Sequence, residues 1–301
     1  MPSTQPDPAT LPPPILPASS IARAVPWVGG WLALMLVVAI AGREATRELA
    51  VFQVMEMRSL IGLLLLAPLV HASGGLPAMR STVLRQHVLR NCVHYVAQFS
   101  WFVALTMIPL AQVVALEFTM PIWTALLALA FLGERMNIWK ALAVACGLAG
   151  VLLIVRPASS GISTGQALAL VSALGFAISM TMTKWLTRSD GTVAIIFWML
   201  AVQSVLGLAP AIIVWRWPSG PVWGWVVLIA FCGTFSHYCM ARALRYADAT
   251  VVVPLDFLRV PLTALAAWLV YAERVDLLMV LGTMLILGGN ALNLRQARPA
   301  A

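Results

Sequence analysis

Glu117 and Asp256 each place a carboxylate in the middle of an apolar run long enough to cross a bilayer, Ala111–Leu132 and Ala249–Tyr271. A charge at that depth is expensive unless it is neutralised, paired or wetted, so it marks a functional site by default. When one run is laid on the other 139 positions further on, the two acids coincide. Pro121 follows Glu117 by four residues and Pro254 and Pro261 flank Asp256. Proline has no N–H and clashes with the carbonyl four residues back, which predicts freed carbonyls at Glu117, Thr250 and Phe257. Such carbonyls are tolerated at depth only where they meet protein, water or ligand. Thr124 and Thr263 stand seven residues after the two acids. Seven residues are about two helical turns, so each acid and its threonine share one face, expected to turn toward a central, partly hydrated cavity.

The competing reading is that both acids belong to structural ion pairs. Arg259, three residues beyond Asp256, is within side-chain reach on the same helix and strengthens that reading for Asp256. The first copy has Met120 there, so Glu117 has no partner of its own; Arg58 and His94 are the candidates to supply one. Without a partner, burial favours the protonated acid, which suits a proton carrier. Glu117, Asp256 and His94 are therefore the proton-coupling candidates. Asn91, His94, Gln98 and Trp101 form a polar stripe down one helix face, and His237 occupies the repeat position of Gln98. These groups fit either a polar solute route or a hydrogen-bonded clasp between helices.

The elements that must position these residues follow from composition. The chain has 301 residues, is 61% hydrophobic and 10% charged, and has a mean hydropathy of +0.91. About ten apolar runs approach the roughly 20 residues that a membrane helix needs, so the expected class is an all-α, ten-helix integral membrane protein. A net charge of +8 raises nucleic acid as a partner, but the placement of charge argues against it. With a cytoplasmic N-terminus, twelve Arg and Lys fall on the inner side and five (Arg43, Arg47, Arg156, Arg216, Arg274) on the outer. That bias predicts both termini in the cytoplasm. Residues 1–24 read as a disordered tail with seven prolines in the first 20 positions, and not as a signal peptide. Cys92, Cys146, Cys232 and Cys239 show no metal or disulfide pattern, so no metal and no cofactor is expected. Among the twelve tryptophans, Trp27, Trp31, Trp139, Trp215, Trp217, Trp223 and Trp225 read as interfacial anchors. Trp101, Trp123, Trp198 and Trp268 lie deeper and are candidates for an aromatic cavity wall.

An internal repeat organises the runs. Between Ala104–Arg135 and Ala243–Arg274, twelve of 32 positions are identical without a gap. Each repeat holds five spans, 25–155 and 156–294, with a short tail at 295–301. Five is odd, so the second copy enters the membrane upside-down, as in carriers with a site between inverted repeats. Small residues in spans 5 and 10 (Ala143, Gly147, Gly150; Gly282, Gly288, Gly289) assign those spans to scaffold, with a homodimer contact also open.

The stretch from Trp101 through Pro109-Leu-Ala, Ala115-Leu-Glu-Phe-Thr119-x-Pro121 and Leu132-Gly-Glu-Arg135 resembles the drug/metabolite transporter superfamily of the EamA type. Val253-Pro-Leu-Asp-Phe-Leu-Arg259-x-Pro261-Leu-Thr and Ala272-Glu-Arg274 look like the same module again. The resemblance covers nearly all of residues 25–294. It implies a ten-helix inner-membrane carrier, commonly an exporter of amino acids or related metabolites, with spans 3, 4, 8 and 9 around the cavity. Two departures stand out: Arg259 makes the copies electrostatically unequal, and Ala272 replaces the module-closing Gly133.

The expected function is a secondary carrier of a small polar or zwitterionic metabolite working by alternating access. Gln98, Trp101, Glu117, Thr124, His237, Asp256, Arg259 and Thr263 are its candidate substrate contacts. Pro121, Pro254 and Pro261 are its candidate hinges. No P-loop, GxSxG or HExxH signature is present, so ATP bound to this chain is not expected to drive it. Two other classes stay open: an intramembrane enzyme acting on a lipid through His94, Glu117 or His237, and a non-transporting receptor or assembly subunit.

Overall fold

A computed structural model describes residues 18–131, 138–156, 161–186, 189–246 and 256–296. Pro254, Thr250, Gly133 and most of the proline-rich start lie outside the described residues. Lipid offers the backbone no hydrogen bonds, so an apolar run satisfies its N–H and C=O groups by coiling on itself. Every long element described is accordingly an α-helix: α1 (Ala18–Ala45), α2 (Val51–Ala72), α3 (Leu84–Met107), α4 (Leu110–Glu117), α5 (Met120–Phe131), α6 (Ile138–Val155), α7 (Thr164–Leu186), α8 (Thr192–Ile213), α9 (Gly220–Tyr246), α10 (Arg259–Tyr271) and α11 (Leu277–Gln296). Five are long and apolar enough to cross a membrane alone: α1, α2, α7, α8 and α9. The shorter α4 and α5 together make the fourth expected span.

The packing pairs the two repeats about a pseudo-two-fold axis. Helix α1 lies on α9, and α3 lies on α7. These are the same contact seen twice, because α7 repeats α1 and α9 repeats α3. Helix α2 packs on its own repeat-mate α8, α6 on α11, and α4 on α10. The symmetry reaches individual residues. A Cβ on Gly150 would stand 2.5 Å from the Gly282 carbonyl oxygen, and one on Gly289 would stand 2.7 Å from that of Ala143. Gly150 matches Gly289 and Ala143 matches Gly282 at the 139-residue offset, so one contact is the image of the other. Gly150, Gly282 and Gly289 are therefore packed within the chain, whereas a Cβ on Gly288 would meet open space.

One acid of the second repeat holds an end of the first. Glu273 accepts the Leu110 N–H at the start of α4 at 2.9 Å, satisfying a donor that the helix itself leaves open. Its other oxygen pairs with Arg43 at the end of α1, whose guanidinium lies 4.6 Å from the Tyr271 ring centroid.

Candidate functional site

The first repeat breaks its helix at its acid, and the second turns directly after its own. Helix α4 ends at Glu117, Phe118 and Thr119 turn, and α5 begins at Met120. In the second copy helical geometry at Asp256 is followed by a turn at Phe257 and Leu258, and α10 begins at Arg259. Pro121 is the second residue of α5 and Pro261 the third of α10, within the first turn, where a missing N–H costs no helical bond. The prolines thus start the second half-helices. The carbonyls near the breaks are not all free: Phe118 accepts the Asn290 amide at 2.8 Å, and Phe257, expected to be freed, accepts the Val260 N–H at 3.2 Å.

The break also corrects the expected shared faces. No single helix carries Glu117 with Thr124 or Asp256 with Thr263, so the seven-residue spacing sets no common face. Thr124 is exposed and bonds the Met120 carbonyl, whereas Thr263 is 1% exposed and its hydroxyl has no partner among the described residues.

A single guanidinium occupies the junction. Arg259 reaches across the repeat interface to Glu117 at 2.9 Å, both side chains being at most 10% exposed. Its Nε stands 3.4 Å from Asp256, a looser charge contact. Each carboxylate receives an indole N–H: Trp101 donates to Glu117 at 2.9 Å and Trp31 to Asp256 at 2.7 Å. The guanidinium carbon also lies 4.9 Å from the centroid of the Phe118 ring, which meets Phe257 edge-on at 5.8 Å. The result is a desolvated, hydrogen-bonded cluster of two acids and one base, walled by four aromatic rings, at the broken helices where the repeats face each other.

A model of the EamA-like transporter family matches residues 28–156 and again 163–295. The chain belongs to the EamA-like transporter family. It is a multi-pass membrane transporter of two EamA repeats, and not an enzyme. It is 30% identical to a riboflavin transporter of Brucella anthropi over 78% of this chain and 85% of that protein. A riboflavin transporter of Rhizobium johnstonii is 32% identical over 73% and 74%, and an S-adenosylmethionine uptake transporter of Rickettsia felis is 25% identical over 86% and 89%. A pseudopaline exporter of Pseudomonas aeruginosa is 27% identical over 81% and 86%. A solved crystal structure matches 93% of this chain and 98% of its own at a TM-score of 0.63 and 19% identity, which speaks to the fold alone.

The remaining candidates in this EamA chain are placed as follows. Arg58 is not the partner of Glu117; it donates to Gln203 of α8 at 2.9 Å. His94 is not that partner either, because its Nδ1 contacts Ser179 of α7 at 3.2 Å. Asn91 donates to the Trp198 carbonyl, so the upper part of the polar stripe clasps helices together. Gln98 and the second nitrogen of His94 keep unpartnered polar atoms among the described residues. The His237 ring lies 6.3 Å from His94 and 6.1 Å from Trp31, bringing these groups to the same side of the bundle. Trp198 is tied to the Met79 carbonyl and Trp268 is exposed; neither stands beside the acid cluster.

Sequence reasoning missed two residues. Trp31, taken for an interfacial anchor, is 7% exposed and part of the cluster. Asn290 was not singled out, although an asparagine within an apolar span needs a partner. On the rim, Asp190 lies outside the spans. Burial would raise its carboxyl, but hydrogen bonds from His87 and Ser81 win and hold it below the usual aspartate range. Among the described residues no three His, Cys, Asp or Glu side chains come close enough to share a metal ion.

Proposed function

We propose that this transporter is a secondary carrier of the cytoplasmic membrane, with both termini inside, and that its substrate is received at the Glu117–Arg259–Asp256 cluster during alternating access. The observation that carries this reading is the cluster's position: Glu117 and Arg259, buried, and Asp256, part-buried, stand at matched positions where the two repeats meet. Such a cluster is a costly way to stabilise a fold, since apolar packing of the same volume does as well or better. A solute that bears its own charges can exchange partners with it. An ammonium group would take an oxygen of Glu117 or Asp256, and a carboxylate would take Arg259, while Gln98, His94 and His237 offer hydrogen bonds nearby. Because two acids face one base, the cluster as drawn is one charge negative, which favours a zwitterionic or cationic amine-bearing metabolite such as an amino-acid derivative.

A second substrate reading rests on the rings. Trp31, Trp101, Phe118 and Phe257 surround the charges, and a planar heteroaromatic solute stacks well on such walls. The riboflavin transporters at 30% and 32% identity support that choice, and S-adenosylmethionine combines a ring with a cation. The relatives include an exporter and uptake transporters, so likeness does not carry the direction over. Flux of labelled riboflavin, S-adenosylmethionine and a panel of amino acids into and out of proteoliposomes tests both readings and gives the direction. Glu117→Gln is expected to cut that flux while the protein still expresses and inserts. Full flux in Glu117→Gln would remove the residue from the mechanism, and no flux of any metabolite in the wild type would favour a receptor.

A further inference from the structure

Among the described residues, one buried acid lies outside the central cluster. Glu56, the sixth residue of α2, is 2% exposed, and neither of its carboxyl oxygens has a hydrogen-bond partner among the described residues. Glu117 and Asp256 both face a guanidinium; among the described residues Glu56 contacts none. On its own helix Arg58 is turned to Gln203. Helix α8 presents no titratable side chain along Thr192–Ile213. Helix α9 meets α2 at Gly233, beside Arg58, and at Thr234, beside Gly62; its His237 ring is turned to His94 and Trp31. From α3 comes the Tyr95 hydroxyl, which is also without a partner.

The carboxyl occupies a fitted slot. A Cβ on Gly207 of α8 would stand 2.5 Å from Glu56 Oε2 and 3.1 Å from the Tyr95 hydroxyl. Only glycine leaves room there for both groups. A carboxylate shut away with no cation and no donor is penalised far more than the neutral acid. This arrangement suits a carboxyl that holds a proton while it is enclosed.

We propose that Glu56 is a proton-binding site of the carrier, loaded as the neutral acid in the closed α2–α3–α8 slot and emptied to water when the slot opens. The proposal rests on the alternating-access reading above and adds the coupling ion to it. The proton arrives from water at one face, forms the acid O–H, and leaves to water at the other; no other bond changes.

Infrared difference spectra of the full chain in lipid, taken between about pH 5 and about pH 9, cover the range in which buried carboxyls titrate. The protonated-carboxyl band is expected in the wild type and is expected to be missing in Glu56→Gln. Gly207→Ala, which keeps the acid but crowds Oε2, is expected to shift that band; an unchanged band in both variants overturns the proposal. In proteoliposomes, flux of whichever metabolite the wild type moves is expected to lose its dependence on a pH gradient in Glu56→Gln while exchange without a gradient persists. Full gradient dependence in Glu56→Gln also overturns it. Absence of any flux in the wild type would sink the carrier reading instead, and the infrared result would still report on Glu56.

Discussion

The two repeats keep their symmetry where helices support one another and abandon it where charge is buried. At the α6–α11 crossing, Gly150 against Gly282 and Gly289 against Ala143 are images of each other. At the breaks in spans 4 and 9 the backbone is still matched, acid for acid and turn for turn. The side chains are not: position 120 is Met and its counterpart 259 is Arg. The first repeat brings an acid, and the second brings an acid and the base that serves both. Close helix crossing asks only for small residues, which duplication preserves. A buried charge asks for a countercharge, and one well-placed guanidinium answers two carboxylates at less desolvation cost than two would.

The comparison can be broken most severely at Arg259. Arg259→Met makes the second copy like the first and leaves buried Glu117 and part-buried Asp256 without the base they share. Unfolding of the detergent-solubilised protein should show a loss of about 3–5 kcal/mol, the usual cost of removing one partner from a buried pair. At the symmetric crossing, Gly150→Ala drives a methyl onto the Gly282 carbonyl oxygen, and overpacking of this kind costs about 1–3 kcal/mol. The same unfolding measurement checks it, and Gly289→Ala should cost a similar amount if the two contacts are true images.

The two acids themselves should not be equivalent. Glu117 contacts Arg259 at 2.9 Å and Asp256 does so at 3.4 Å, so Glu117→Gln should destabilise more than Asp256→Asn. A hydrogen bond to a charged group contributes about 1.5–3 kcal/mol, and equal losses in the two variants would show that the distances do not matter. The smallest effect concerns the module ends. Ala272 caps α10 in the left-handed region at φ 53°, where its counterpart in the first copy is Gly133. Ala272→Gly should therefore stabilise the chain by up to about 1–2 kcal/mol, the strain a side chain meets there; a drop in melting temperature would contradict this.

Much of this was legible in the sequence. Apolar runs, the 139-residue repeat and the paired acids are properties of linear order, and each led to an element that the structure contains. The partner of Glu117 was not legible, because Arg259 is distant in the chain and the nearer polar residues, Arg58 and His94, competed for the role. Trp31 was misread for the same kind of reason: tryptophan near a span start is ordinarily an anchor, and only packing of α1 on α9 turns it inward to Asp256. The shared faces of Glu117 and Thr124 failed because a helical period was carried across a break that Pro121 itself announces. Glu56 passed unnoticed because nothing in its neighbours along the chain says that α8 will present a glycine to it.

The central claim is that Arg259 of one repeat neutralises Glu117 of the other. A double-mutant cycle with Glu117→Gln and Arg259→Met, read by equilibrium unfolding in detergent, tests it most directly. The two changes should be strongly non-additive, with a coupling of about 1–3 kcal/mol, as for residues in one buried network. Losses that simply add, to within about 0.5 kcal/mol, would mean that the two side chains do not meet, and the site between the repeats would have to be abandoned.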